Sequence, residues 1–290
     1  MAWPVDARGR QTPTRSADAW SEQEFQDRYI ETIVRANLHM YAGYTFPKLD
    51  EMQSRKFHAT HMKYFSFFAW KFPSFLLSVA SQCPYQDVRR TIIEDCVDEE
   101  VADVDAGGRC HIDVLYDEAE ACGMSRDEIA SAEPTPVILA CIHALDNLSR
   151  TLGWEAGLAA MSALEMGSSV PAKELRQKLL EAELTPEQIE AGKGQRDSRS
   201  LSERTGLAPE QLSFAALHAY KDQFHGGGEL ALLVKYAVTR EIQEKMLWAA
   251  KASVSIFFVM REEIDRLARA SVGLPPGEIV HLKGSTTFSA

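Results

Sequence analysis

Two histidines and an aspartate, spaced as His218-x3-Asp222-x2-His225, are the residues of this sequence best suited to bind a metal. Side chains three and four positions apart lie on one face of an α-helix, so these three would converge within two turns. Imidazole and carboxylate donors together favour a divalent first-row metal, and additional carboxylates favour iron or manganese over zinc. The spacing therefore predicts a metal site on a helix, with iron favoured and manganese as the alternative.

Further candidate ligands occur upstream, in segments with helical periodicity. The acidic run Glu94 to Asp105 contains Glu99 and Glu100, either of which could be a ligand, and His111 begins the next amphipathic segment. The run also fits a solvated helix face, and His111 fits an ordinary surface histidine. Glu165 lies among alanine, leucine and methionine, where an unpaired charge is expensive to bury and a metal would remove the penalty. The combined set fits two redox-active irons that bind and reduce dioxygen in a helical bundle.

Helical periodicity runs through most of the chain, and no segment reads as a β-hairpin. Pro73 is expected to interrupt the second helix, and Gly226 to Gly228 are expected to loosen the helix after His225. The sequence predicts an all-α fold of about seven to ten helices. Helices are expected from Ser21, from Lys48 to Trp70, from Ser74 to Cys83, from Tyr85, from His111 to Cys122, from Val137 to Leu152, from Trp154 to Met166, from Lys173 to Glu183, from Pro209, and from Glu241 to Arg269.

Composition predicts a single domain. A chain of 290 residues with 45% hydrophobic content can bury one substantial core. The net charge of -11 disfavours nucleic acid and anionic membranes as partners. Five scattered cysteines without C-x2-C spacing fit reduced thiols, and no signal peptide or membrane-spanning run is evident. We expect a cytoplasmic protein with a flexible N-terminal tail over residues 1–20, one domain over residues 21–270 and a C-terminal tail over residues 271–290.

Several motifs occur in an informative order. They are Lys71-Phe72-Pro73-Ser74-Phe75-Leu76 with Ser81-Gln82-Cys83-Pro84, then Asp95-Cys96-Val97-Asp98-Glu99-Glu100, then His111, then Glu165 ahead of Pro171, and finally the triplet His218, Asp222 and His225. This order resembles the haem-oxygenase-like dimetal oxidases and oxygenases, relatives of the TenA and PqqC proteins that bind non-haem iron. The resemblance covers about residues 50–268, which is most of the chain.

The resemblance implies a haem-oxygenase-like seven-helix bundle with two Fe(II)/Fe(III) ions, dioxygen as cosubstrate and a peroxo-diiron(III) species. It implies oxidation of an amino acid or fatty acid, with the amino acid favoured, by desaturation, carbon–carbon cleavage, ring closure or N-oxygenation in natural-product biosynthesis. It also implies two ligand groups. Glu99, His111 and His218 would bind one iron, and Glu165, Asp222 and His225 would be shared with or belong to the other.

The sequence departs from the family pattern in two places. The spacing from Glu99 to His111 is longer than the compact family spacing, which leaves Glu100 as an alternative ligand. An insertion over residues 184–206 separates Glu165 from His218, and we expect it to be a surface loop that shapes substrate access.

Other functions compete with a diiron oxidase. A metal-free PqqC-like oxidase or a TenA-like hydrolase would use the same fold, and the hydrolase would need a nucleophile such as Cys83, Cys96 or Cys141. A non-enzymatic helical interaction protein is a third alternative. We expect a small-molecule substrate, no nucleic-acid or membrane partner, and a chain compatible with a homodimer. A substrate ammonium group could use the acidic residues around Asp98 and Asp103.

Overall fold

The computed structural model describes residues 13–43, 47–167, 169–187, 189, 198–221, 225–277 and 282. Within these residues the chain consists of helices and short connections, and its β-type pairing is a single isolated bridge between Asp103 and Arg109. The prediction of an all-α fold is therefore confirmed.

Twelve α-helices follow one another in the described part of the chain, with a short 3-10 turn at Pro209–Gln211. None of these described helices combines the length and apolar character needed to cross a membrane. The helices are α1 Glu22–Gly43, α2 Glu51–Gln82, α3 Gln86–Glu100, α4 His111–Ala121, α5 Arg126–Ala130, α6 Pro136–Thr151, α7 Trp154–Met166, α8 Val170–Glu183, α9 Ser198–Thr205, α10 Ser213–Lys221, α11 His225–Tyr236 and α12 Arg240–Ser271.

Helix α7 lies at the centre of the bundle. Its residues are almost all apolar, and a helix that is apolar on every side must be covered on every side. It packs against α2, α6, α11 and α12, and most of its side chains are buried. Gly157 allows this close packing, because a Cβ atom there would lie 3.0 Å from Val79 Cγ2 and 3.2 Å from the Ser149 carbonyl oxygen.

A buried tyrosine ties α1 to this central helix. The hydroxyl of Tyr29 donates a hydrogen bond of 2.6 Å to the carbonyl oxygen of Ala159. We expect Tyr29→Phe to lower the free energy of unfolding by about 1 kcal/mol, since the bond is lost while the apolar ring remains. Urea denaturation would measure the loss. Tyr116→Phe, on a half-buried tyrosine beneath Arg126, is the control and should change stability less. Equal effects of the two substitutions would contradict this prediction.

The prediction that Pro73 interrupts the second helix is wrong. Helix α2 runs unbroken through it from Glu51 to Gln82. A proline removes one backbone hydrogen bond, but here Phe72 and Phe75 on either side are buried, and their packing favours a continuous helix. The three glycines after His225 lie within α11, so the chain is helical at these positions.

The described end of the insertion is a helix docked on α2. Arg55 Nε donates a hydrogen bond of 2.6 Å to the Thr205 carbonyl oxygen at the end of α9. Leu201 and Leu207 are buried in a small cluster with Ala59. The insertion was predicted to be a surface loop, but from Ser198 onward it forms a packed helix. Residues 190–197 lie outside the described residues.

Residues before α1 contact the junction between α11 and α12. Arg15 donates hydrogen bonds of 2.8 Å to the carbonyl oxygens of Val234 and Ala237, at the end of α11. The guanidinium groups of Arg28 and Arg240 lie 4.3 and 3.8 Å from the ring centre of Trp20. The predicted limits of the tails stay predictions, because residues 1–12 and most residues after 277 lie outside the described part.

Candidate metal centre

Glu99 and His111 are brought together by the connection between α3 and α4. Glu99 lies in the last turn of α3, and His111 is the first residue of α4. Glu99 Oε1 is 3.0 Å from His111 Nδ1. Glu100 is exposed. The geometry therefore favours Glu99 over Glu100 as the carboxylate of this site.

His218 reaches the same place from α10. Its ring centre lies 5.0 Å from that of His111, at an interplanar angle of 67°. His218 Nδ1 is 3.0 Å from the carbonyl oxygen of Phe214, one turn earlier on the helix. A carbonyl oxygen can only accept, so Nδ1 carries the proton and Nε2 keeps its lone pair for a metal.

Donor atoms of Glu99, His111 and His218 all lie within 4.8 Å of one another. Two donors bound about 2.1 Å from one ion at right angles lie about 3 Å apart, which matches the contact between Glu99 and His111. His111 Nδ1 is buried and makes no hydrogen bond with a described residue, because Glu99 is not aligned to form one. Two histidines and one carboxylate are the donors of many non-haem Fe(II) sites, so these residues fit iron.

The pKa of His111 is affected in two opposite directions. Burial lowers it, whereas the contacts with Glu99 and then with Asp103 raise it, and the net result is a pKa above the usual value of 6.5. A metal that binds Nδ1 must displace any proton there. Metal binding should therefore be coupled to proton release.

Glu118 holds the beginning of α10 in place. It is fully buried on α4, and its Oε2 accepts a hydrogen bond of 3.0 Å from the backbone N–H of Ala215. Its Oε1 lies 2.6 Å from His58 Nε2 on α2. One carboxylate thus connects three helices, and it orients the helix that carries His218.

We expect Glu118→Gln to weaken metal binding although Glu118 is not a donor. An amide has one acceptor oxygen and one NH₂ group instead of two acceptor oxygens, so the Ala215 N–H and His58 Nε2 can no longer both donate to it. We expect the iron(II) affinity to fall about tenfold and backbone hydrogen exchange at Ala215 to accelerate. Glu120→Gln, on an exposed residue of the same helix, is the control. Unchanged affinity and unchanged exchange in the Glu118 variant would contradict the prediction.

The other three predicted ligands are not placed in this group. Glu165 lies on α7, and its charge, like that of Glu99, acts on the thiol of Cys96. It is therefore near α3, but it is not one of the three convergent donors. Asp222 and the side chain of His225 lie outside the described residues. The assignment of these three residues to a second iron stays a prediction.

Glu229 is a buried acid that the sequence analysis missed. It lies on α11, four residues after His225, and is 2% exposed. Burial, and after it the charge of Asp95, raises its pKa to about 8, while the neighbouring Ser162 acts in the opposite direction. The available signal was its spacing from His225, because residues four apart share a helix face.

Aromatic rings cover one side of the site. The ring of Phe214 lies 4.1 Å from that of His218, and Phe65 lies 6.1 Å from Phe214. Phe68 and Phe257 continue this group, with ring centres 4.9 Å apart. Most of the aromatic residues of α2 pack into the core, and Phe65 connects the core to the candidate site.

Three solved structures are similar to this chain. A domain of unknown function with a heme oxygenase-like fold from Shewanella denitrificans OS217 is 12% identical, with a TM-score of 0.53 over 84% of this chain and 89% of that chain. A TenA homolog from Pseudomonas syringae pv. tomato str. DC3000 is 12% identical, with a TM-score of 0.51 over 88% and 99%. A CADD-like protein of unknown function from Nostoc punctiforme PCC 73102 is 17% identical, with a TM-score of 0.53 over 77% and 86%.

The similarities define a haem-oxygenase-like helical protein, and the convergent donors give it a candidate histidine and carboxylate metal site. The family model described as iron-containing redox enzyme matches residues 60–257, which is more than half of the chain. The protein therefore belongs to this family of iron-containing redox enzymes, and the predicted resemblance is confirmed. No curated protein matches it significantly in sequence.

Proposed function

We propose that this protein is a non-haem diiron oxidase or oxygenase that uses dioxygen to oxidise a small organic substrate. The observation that carries the proposal is the convergence of Glu99, His111 and His218, with donor atoms within 4.8 Å of one another. Membership in a family of iron-containing redox enzymes supports iron as the metal.

Each residue has a defined part in this proposal. Glu99 supplies a negative charge, and His111 and His218 supply neutral nitrogens. The three would therefore hold one Fe(II) and neutralise one of its two positive charges. Glu165, Asp222 and His225 would hold the second ion. When bound, the irons would supply the binding and reduction of dioxygen. Glu118 would orient the helix that carries His218, and Phe214 and Phe65 would keep water away from the donors.

The surroundings of the site favour a substrate with an apolar part. Phe214 and Phe65 present aromatic surface next to His218, which excludes water and suits an aliphatic or aromatic side chain. An amino acid or a fatty acid would meet this requirement, and we favour the amino acid. The sequence suggested that Asp103 could help bind a substrate ammonium group. Asp103 is not suited to this role, because it is fully buried and contacts His111.

A cysteine-dependent hydrolase is less well supported by the structure. Cys83, Cys96 and Cys141 are all buried. Burial raises the pKa of Cys83 and of Cys96 to about 12, and that of Cys141 to about 11. These groups remain thiols at neutral pH, whereas nucleophilic attack requires the thiolate.

An anaerobic iron(II) titration followed by an oxygen pulse tests the proposal. We expect two irons per chain, a transient absorption band after oxygen is added, and faster decay of the band with one class of substrate from a panel of amino acids and fatty acids. A parallel manganese(II) titration compares the two metals. One iron per chain would contradict the diiron assignment, and no uptake of either metal would favour the metal-free relatives.

A further inference from the structure

Asp103 contacts the ring of His111 on the side away from Glu99. It lies in the connection between α3 and α4 and is fully buried. Its Oδ2 lies 2.8 Å from His111 Nε2. The same imidazole therefore has Asp103 at one nitrogen and Glu99, 3.0 Å away, at the other.

The backbone of this connection fixes the Asp103 carboxylate. The N–H of Asp103 donates to the Arg109 carbonyl at 3.0 Å, and the N–H of Gly108 donates to the Asp103 carbonyl at 2.7 Å. Asp103 Oδ1 accepts a hydrogen bond of 2.8 Å from the N–H of Asp105. Gly107 and Gly108 have φ values of +69° and +80°, which close the turn in a conformation that favours glycine. The carboxylate is therefore held before any metal binds.

The carboxylate determines which nitrogen of His111 carries the proton. Ionised carboxylates only accept hydrogen bonds, and of the two carboxylates beside His111 it is Asp103 whose contact has hydrogen-bond geometry, so the neutral imidazole places its proton on Nε2. Its lone pair is then on Nδ1, next to Glu99. A histidine that binds a metal through one nitrogen is commonly oriented in this way by an acceptor at the other.

We propose that Asp103 is a positioning residue that selects the His111 tautomer able to bind the metal. This inference rests on the proposed function, because it assumes that His111 binds iron. It also explains the long spacing between Glu99 and His111, since the additional residues form the turn that carries Asp103.

The variant Asp103→Asn tests the inference, because it reverses the hydrogen-bonding pattern. The Asp105 N–H requires an acceptor, so the amide oxygen should face it and the amide NH₂ should face His111 Nε2. His111 would then carry its proton on Nδ1. We expect the iron(II) affinity to fall between tenfold and 100-fold. Asp105→Asn, an exposed residue of the same turn, is the matched control.

Two measurements separate this inference from the proposed function. Nitrogen-15 NMR of the metal-free protein, at a pH where the imidazole is neutral, reports the tautomer, with His111→Gln used to assign the signal. Anaerobic titration reports the affinity. We expect the proton on Nε2 in the native protein and the control, and on Nδ1 with weaker binding in Asp103→Asn.

Several outcomes would overturn the inference. They are native affinity in Asp103→Asn, an unchanged tautomer in this variant, and a proton on Nδ1 in the native protein. The last of these can be observed even if the variant does not fold. If the native protein binds no iron, the proposed function fails, whereas a tautomer change in Asp103→Asn would still support the control of His111 by Asp103.

Discussion

We expect His218→Ala to lose tight iron(II) binding at the Glu99, His111 and His218 site, with the affinity reduced on the order of 100-fold or more. The side chain supplies one of three convergent donors, and the loss of a ligand should exceed the tenfold to 100-fold effects of residues that only orient ligands. Oxygen consumption in the presence of iron should fall with it. Anaerobic titration and an oxygen electrode would measure the two effects.

A loss of the ligand can be distinguished from a loss of the fold. His218 is only half-buried, and its ring lies against those of Phe214 and His111, so its removal should change the melting temperature of the metal-free protein by only a few degrees. His143→Ala, on an exposed histidine of α6, is the control and should keep native iron binding. Full iron content and activity in His218→Ala would return the non-enzymatic interaction protein to consideration.

The helices could be predicted from the sequence because their apolar residues repeat at helical spacing. The bounds predicted for α7 agree with the structure, and those of α6 and α12 differ by one or two residues. The failure at Pro73 has a physical cause. A local rule assigns a penalty to proline in a helix, but it cannot include the burial of Phe72 and Phe75, which depends on tertiary packing.

The site was only partly predictable for a related reason. Helical spacing and family order indicated Glu99, His111 and His218, and the structure brings these residues together. Asp103 and Glu118 were not predicted, because their roles depend on contacts across a turn and between helices. The choice between Glu99 and Glu100 also depends on how the chain turns after α3. This turn lacks the periodic spacing from which a helix can be predicted.

Glu229 belongs to a polar layer one helical turn from the predicted ligands. Asp95 precedes Glu99 by four residues on α3, and Ser162 precedes Glu165 by three residues on α7. Glu229 follows His225 by four residues on α11. The layer places Glu229 near Asp95 and Ser162, both of which act on its pKa. A carboxyl group in such surroundings is stable as the neutral acid, because ionisation would create a buried negative charge close to that of Asp95.

We expect Glu229→Gln to stabilise the metal-free protein at pH 8 and to leave its stability nearly unchanged at pH 5. Burial, together with Asp95, raises the pKa of Glu229 from 4.5 to about 8 in the folded protein. Below pH 4.5 the carboxyl is protonated in both states. Between this value and pH 8 the unfolded chain releases the proton while the folded protein retains it, so unfolding becomes more favourable by up to about 1.4 kcal/mol per pH unit.

Glutamine has a similar shape and does not ionise, so the variant should lack this pH-dependent loss. The difference in unfolding free energy between the variant and the native protein should therefore grow from less than about 1 kcal/mol at pH 5 to about 4 kcal/mol at pH 8. Urea denaturation at pH 5, 6, 7 and 8 with a chelator present would measure it. Glu94→Gln, on an exposed residue adjacent to Asp95, should show no such trend. A constant difference across the series would mean that Glu229 ionises as readily in the folded protein as in the unfolded chain. The prediction that Glu229 is neutral in the folded protein would then be wrong.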